Sequence, residues 1–244
     1  MSMSATPIRI CVIAPAYFYA THPQILDALK PVTPPDVSLE VRYIQDGSPC
    51  MENRADWQEN GMAVVRLARE AASARFHGIW VADFDMCGVE AAREVVDIPV
   101  VGGFPAAAFT AMSLGGRFSI ITLAQSMLTM QRNHVLGYGL RDAFASIRSI
   151  NCSTNDLNNP ELVVNKALEQ AMRAVKEDGA ETIVLGHAGL IQVARRITEL
   201  LEDILGIHVP VIDANQASFG FLLSQVRMGA RPSRLSYTKV TLPA

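Results

Sequence analysis

Charge is sparse in this chain and belongs to neither sign. Of 244 residues, 21 are Lys or Arg and 24 are Asp or Glu, a formal net of −3 at pH 7. The longest basic run is Arg195-Arg196, so there is no electrostatic case for a nucleic-acid partner, which would need clustered positive charge. No stretch nears the roughly 18 consecutive apolar residues of a membrane span, and the start, Met1 to Pro7, lacks the charged and apolar regions of a signal peptide. A cytoplasmic protein is expected. Cysteine is scarce too: Cys11, Cys50, Cys87 and Cys152 stand far apart with no C-x-x-C pair. That argues against a disulfide framework or a structural zinc knot. Cys11 sits within an apolar run and reads as a small buried hydrophobe, whereas Cys87 follows a turn and has a plausible chemical address.

What is present is a globular composition, half apolar and 18% charged, enough to bury one large α/β core or two smaller ones. Strand-like and helix-like runs alternate. Ile8–Ala14, Val37–Ile44, Ile79–Ala82 and Ile98–Val101 read as strands, with a long helix at Asp56–Ala74 and an Ala-rich one from Phe104 to Gly115-Gly116. The pattern then restarts. Strands are expected at Arg117–Thr122, Phe144–Ile150, Thr182–Leu185 and Val209–Ile212. Helices are expected at Ser126–Val135, from Asn159-Pro160 to Lys176, at Gly189–Leu205 and at Gln216–Val226. Such alternation implies parallel sheets wound by right-handed crossovers. We expect an α/β fold of two pseudo-symmetric lobes: residues 1–104 with 216–244 packing back on them, and residues 105–215.

A near-repetition singles out two ionisable residues. Gly78-Ile79-Trp80-Val81-Ala82-Asp83 matches Thr182-Ile183-Val184-Leu185-Gly186-His187, each an apolar run ending in one titratable side chain. Each is followed by a glycine-containing turn and a helix, and then by a Pro-led apolar strand, Pro99–Gly102 or Pro210–Asp213. Ligands of open parallel sheets bind beyond the carboxyl ends of the strands. If the lobes face one another, Asp83 and His187 look into a single cleft, with the active site between the lobes.

The ordered segments Pro99-Val100-Val101-Gly102, Leu114-Gly115-Gly116-Arg117-Phe118, Tyr138-Gly139-Leu140, Asp178-Gly179-Ala180-Glu181, Leu185–Leu190 and Pro210-Val211-Ile212-Asp213 resemble the aspartate/glutamate/hydantoin racemase superfamily. The similarity is greatest to its hydantoin and allantoin racemase branch and covers about Arg9 to Leu223. It implies two α/β lobes, no cofactor, homo-oligomers and two cysteines that move a proton at a carbon next to a carbonyl. In the matching positions this chain has Asp83, within Asp83-Phe84-Asp85-Met86, and His187, within Leu185-Gly186-His187-Ala188-Gly189. The family's Asn-Pro-Asn-Thr turn is replaced by Ala14-Pro15-Ala16-Tyr17.

Three functional classes remain open. In the first, Asp83 and His187 are an acid–base pair acting on a small carboxylate- or hydantoin-like substrate. An imidazole exchanges protons near neutrality, whereas Asp83 would need burial among Trp80, Phe84 and Phe104 to be a useful base. Backbone N–H groups of Cys87-Gly88 and Ala188-Gly189 would hold an enolate or a carboxylate. Pro15, Tyr17, Phe84, Thr122 and Ser126 complete the expected substrate-binding set, with a helix-capping role for Thr122 and Ser126 equally open. In the second class, Asp83, Asp85, Cys87 and His187, joined by Asp213 or His22, hold a divalent metal such as zinc for hydrolase or lyase chemistry. In the third, the lobes close on a small molecule without turnover. His77, His134, His208, Trp57 and Glu90 read as structural.

Overall fold

In the computed structural model, residues 7–16 and 22–240 are described. The chain forms two compact units: residues 1–51, 55–102 and 218–244, and residues 52–54 and 103–217.

The first unit carries a four-stranded parallel sheet of order β2-β1-β3-β4. Its strands are β1 (Ile8–Ala14), β2 (Val37–Tyr43), β3 (Gly78–Val81) and β4 (Val100–Val101). β1 and β3 lie in the middle, and β3 is buried along its whole length. Continuous apolar runs suit strands covered on both faces, where no alternation is needed. The helices are α1 (His22–Leu29), α2 (Arg54–Ser73) and α3 (Val89–Val95). The C-terminal part of the last helix also packs here. A Cβ on Gly78 would lie 2.7 Å from Val226 and 3.1 Å from Leu222, so only glycine lets that helix approach β3. Trp80 donates its indole N–H to Ser218 Oγ at 2.8 Å and meets Phe219 edge-on. The chain end is pinned to α3: Arg234 donates to the carbonyls of Arg93 and Val96 and pairs with Asp97, which Lys239 also contacts.

The second unit repeats the topology with order β6-β5-β7-β8. Its strands are β5 (Phe118–Thr122), β6 (Phe144–Ser149), β7 (Thr182–Leu185) and β8 (Val211–Asp213), and its helices are α4 (Ala106–Met112), α5 (Leu128–Gly137), α6 (Pro160–Asp178) and α7 (Val193–Leu205), with α8 (Ala214–Arg227) starting here. α6 begins as its sequence dictates. Asn159 accepts the Leu162 N–H, Pro160 occupies the first turn, and Gly179 closes the helix at φ 71°. Its alanines Ala167, Ala171 and Ala174 pack on Ile121, Ile183 and Ile197.

The α/β reading holds, with local differences. α1 was not anticipated. The segment from Gly189 is not helical until Val193, because Leu190 turns back on His187 and Gln192 takes a left-handed conformation, φ 61°. β4 shrinks to two residues, and a 3-10 turn at Gln125–Met127 precedes α5. No helix of the described residues is long and apolar enough to cross a membrane.

Candidate active site

Asp83 and His187 occupy the same place in their respective sheets. β1 pairs with β3 up to Ile13↔Val81, and β5 with β7 up to Ile121↔Leu185. One further backbone bond closes each pair: Ala82 N–H to Ile13 O and Gly186 N–H to Ile121 O, both 2.8 Å. The next residue in each case is the ionisable one. The following helices, α3 and α7, are both entered through a left-handed residue, Gly88 (φ 67°) and Gln192 (φ 61°).

In the first unit, Asp83 is 8% exposed and its Oδ2 accepts the Cys87 N–H at 2.8 Å. A backbone N–H aimed at a carboxylate favours the anion. The turn is held from behind by α2. The Trp57 indole donates to Asp85 O (2.8 Å), the Cys87 thiol donates to Trp57 O (3.4 Å), and a Cβ on Gly88 would strike Gly61 O at 2.6 Å. Asn60, fully buried, accepts the Ser48 N–H and donates to Ser48 O and, at 2.7 Å, to Pro15 O. It thereby ties the turn after β1 to α2.

In the second unit, the Gly189 N–H donates to His187 Nδ1 at 3.0 Å, and the Leu190 N–H to His187 O at 3.1 Å. The carbonyl preceding His187 is held twice, by Thr122 Oγ1 (3.1 Å) and by the buried Gln131 Nε2 (2.8 Å), both bonding Gly186 O. Asn215 donates to Ala188 O. Asp213, at the end of β8 beside β7, accepts the N–H groups of Asn215 and Gln216. Burial, only partly offset by those two donors, raises its carboxyl to about 6.

Several expected roles change in kind. The Cys87 thiol faces Trp57 O, and burial, reinforced by the charges of Asp83 and Asp85, pushes it well above its ordinary value. It therefore stays protonated, and Cys87 serves through its N–H. That donor and the Gly189 N–H are committed to Asp83 and His187 rather than offered to an oxyanion. Thr122, with no exposed surface, gives its hydroxyl proton to Gly186 O, and Ser126 gives its own to Glu52 O (2.6 Å). Phe84 is 1% exposed and belongs to the core. Pro15 and Ala188 act through carbonyls that Asn60 and Asn215 hold. Tyr17 and the side chain of His22 lie outside the described residues. The metal set of Asp83, Asp85, Cys87 and His187 does not fit. Among the described residues no three His, Cys, Asp or Glu side chains gather in metal-holding geometry, and the Cys87 thiol is turned to Trp57 O. Asn60, Gln131 and Asn215 had not been singled out.

Two parallel α/β units of one topology, each with a single ionisable residue just past its third strand, define a racemase-like enzyme class. Residues 11–221 match the family model described as Asp/Glu/Hydantoin racemase. The chain is 30% identical over 233 residues to a hydantoin racemase of Pseudomonas sp. (strain NS671), covering 95% of this chain and 91% of that one. It is 31% identical over 240 residues to one of Paenarthrobacter aurescens, covering 96% and 98%. The structure of allantoin racemase from Klebsiella pneumoniae superposes with a TM-score of 0.87 at 30% identity, over 97% of this chain and 96% of that one. The chain belongs to the Asp/Glu/hydantoin racemase family and is an isomerase of racemase type.

Proposed function

We propose that the protein moves a proton at a carbon next to a carbonyl in a small hydantoin- or carboxylate-bearing substrate, using Asp83 and His187 as its acid–base pair and no cofactor. The observation that carries this is the equivalence of the two residues. Each follows the same closing backbone bond in its sheet, and each accepts an N–H from its own turn. These are the positions where the family resemblance puts the proton-moving groups, and both side chains here can hold or give a proton. The relatives named for hydantoin and allantoin make five-membered cyclic ureides the first substrates to try. Four cysteines without a disulfide suit a reducing cytoplasm as its place of work.

The test is solvent exchange. With a 5-substituted hydantoin or allantoin in D2O, the protein should wash deuterium into the acidic C–H well above the enzyme-free rate. Asp83→Asn and His187→Gln should each lower that rate by about 100-fold or more while leaving the circular dichroism spectrum intact. Full activity in either variant would remove that residue from the chemistry.

A further inference from the structure

A cavity of about 240 Å3 lies within the first unit, at the end of its sheet opposite to the Asp83 turn. Asp83 follows the carboxyl end of β3, whereas this cavity is walled by Pro99 and Val100, where β4 begins, and by Arg93 in the last turn of α3. Gln225 of α8 and the chain beyond it, with Arg231, Pro232 and Tyr237, close the other side. The polar groups on this wall are donors in want of acceptors. Arg93 donates through Nε to Val100 O and through Nη1 to Tyr237 Oη, both at 3.0 Å, and its Nη2 has no partner among the described residues. Having accepted from Arg93, the Tyr237 hydroxyl keeps a proton to give. Gln225 brings an amide and Arg231 a whole guanidinium, and neither side chain bonds to another described residue. The acceptors close by are taken: Arg234 holds the carbonyls of Arg93, Val96 and Tyr237, and Arg234 and Lys239 share Asp97.

We infer that this cavity is a second binding site, separate from Asp83, for a small organic carboxylate whose charged end meets Arg93 and Arg231 and whose apolar body rests on Pro99, Val100 and Pro232. Two guanidinium groups line the cavity and no carboxylate does, so an anion between them removes the repulsion of like charges. A guanidinium fork matches the two oxygens of a carboxylate with paired N–H bonds, and the Tyr237 hydroxyl and the Gln225 amide add donors from the side. The space is several times the roughly 30 Å3 of a water molecule and falls short of the roughly 300–1,000 Å3 typical of drug-sized ligands. That volume, with apolar residues on one wall, suits a small molecule with a body rather than a bare inorganic ion. Because the wall joins α3, β4 and the chain after α8, an occupant ties these three segments together and stabilises the folded unit by mass action.

Titration calorimetry and thermal unfolding of the full chain at pH 7, with benzoate, benzamide and inorganic phosphate as probes, decide it. Benzoate should bind and raise the melting temperature. Benzamide has the same shape without the charge and should bind at least about 10-fold more weakly; phosphate has the charge without an apolar body and should also bind more weakly than benzoate. Arg231 bonds to no other described side chain or carbonyl, so Arg231→Gln should fold as the parent does and lose about 10-fold in benzoate affinity. Arg195→Gln, which removes an exposed charge from α7, should bind benzoate as the parent does. Benzoate affinity unchanged in Arg231→Gln would place the carboxylate elsewhere and overturn the inference. So would equal losses in the two variants, benzamide or phosphate binding as tightly as benzoate, or no benzoate binding up to ~10 mM.

Discussion

Replacing Asp213 with Asn should stabilise the protein at neutral pH and leave its stability unchanged near pH 4. The Asp213 carboxyl rises from 3.8 to about 6, first because burial penalises its charge and despite the two N–H donors of Gln216 and Asn215. A folded-state pKa above the unfolded one means that the native protein binds that proton more tightly. Its stabilising contribution is complete below about 3.8, is lost as pH rises through about 6, and stays lost above it. The gap corresponds to a cost on the order of 3 kcal/mol once the carboxylate is ionised. Asn keeps a carbonyl oxygen for both N–H groups, so the cap of α8 survives, and the raised carboxyl already includes the attraction of its charge for those two donors. A net gain of about 3 kcal/mol is expected at pH 7. Urea unfolding of both proteins between about pH 4 and pH 8 is the assay. The difference should be near zero at the acid end, grow by about 1.4 kcal/mol per pH unit toward pH 6 and then flatten. A difference independent of pH, or a variant less stable at neutrality, would refute the account of Asp213 as a desolvated carboxylate.

Iodoacetamide should leave Cys11 and Cys87 unmodified. Burial pushes the Cys11 thiol up to about 12 and the Cys87 thiol higher still, so neither forms the reactive thiolate at neutral pH; modification traced by mass spectrometry to Cys87 would contradict this. Asn60→Ala should cost about 3 kcal/mol in denaturant unfolding, since it strands the Ser48 N–H and the carbonyls of Ser48 and Pro15 inside the protein. A loss below about 1 kcal/mol would mean that the turn after β1 does not depend on Asn60.

The architecture was legible because its signals are additive. Continuous apolar runs such as Ile8–Ala14 and Thr182–Leu185, separated by amphipathic stretches with caps, leave little choice but parallel sheets under helices. Repetition of one such unit marked Asp83 and His187 without knowledge of any coordinate. The sequence was poorer on how those residues are held. Asn60 falls on the buried stripe of α2 with Ala63, Val64 and Ala71, and Gln131 on that of α5 with Met130 and Val135. A polar side chain on an apolar stripe is a signal that something buried needs a partner, but what it binds depends on loops distant in sequence. Backbone donors were the larger gap. Glycine-containing turns advertise N–H groups, and sequence alone does not say that Cys87 and Gly189 spend theirs on the adjacent titratable side chains.

That expenditure takes a different form in each turn, because the donor is Cys87 for Asp83 and Gly189, nearer in sequence, for His187. In both turns an N–H folds back on the side chain at the strand end, yet the electrostatic result depends on what receives it. On a carboxylate oxygen the donor stabilises the deprotonated, proton-accepting form. On Nδ1 of an imidazole it favours the neutral ring with its proton on Nε2. The two turns thus hold unlike groups at the strand ends, a carboxylate that accepts the Cys87 N–H in one unit and an imidazole that accepts the Gly189 N–H in the other. A carboxylate at both positions would place like charges in two anion-stabilising turns with nothing to polarise a carbonyl. An imidazole at both would supply two donors and no base. Asp in one turn and His in the other therefore supplies the two unlike ionisable groups that the proposed acid–base pair requires.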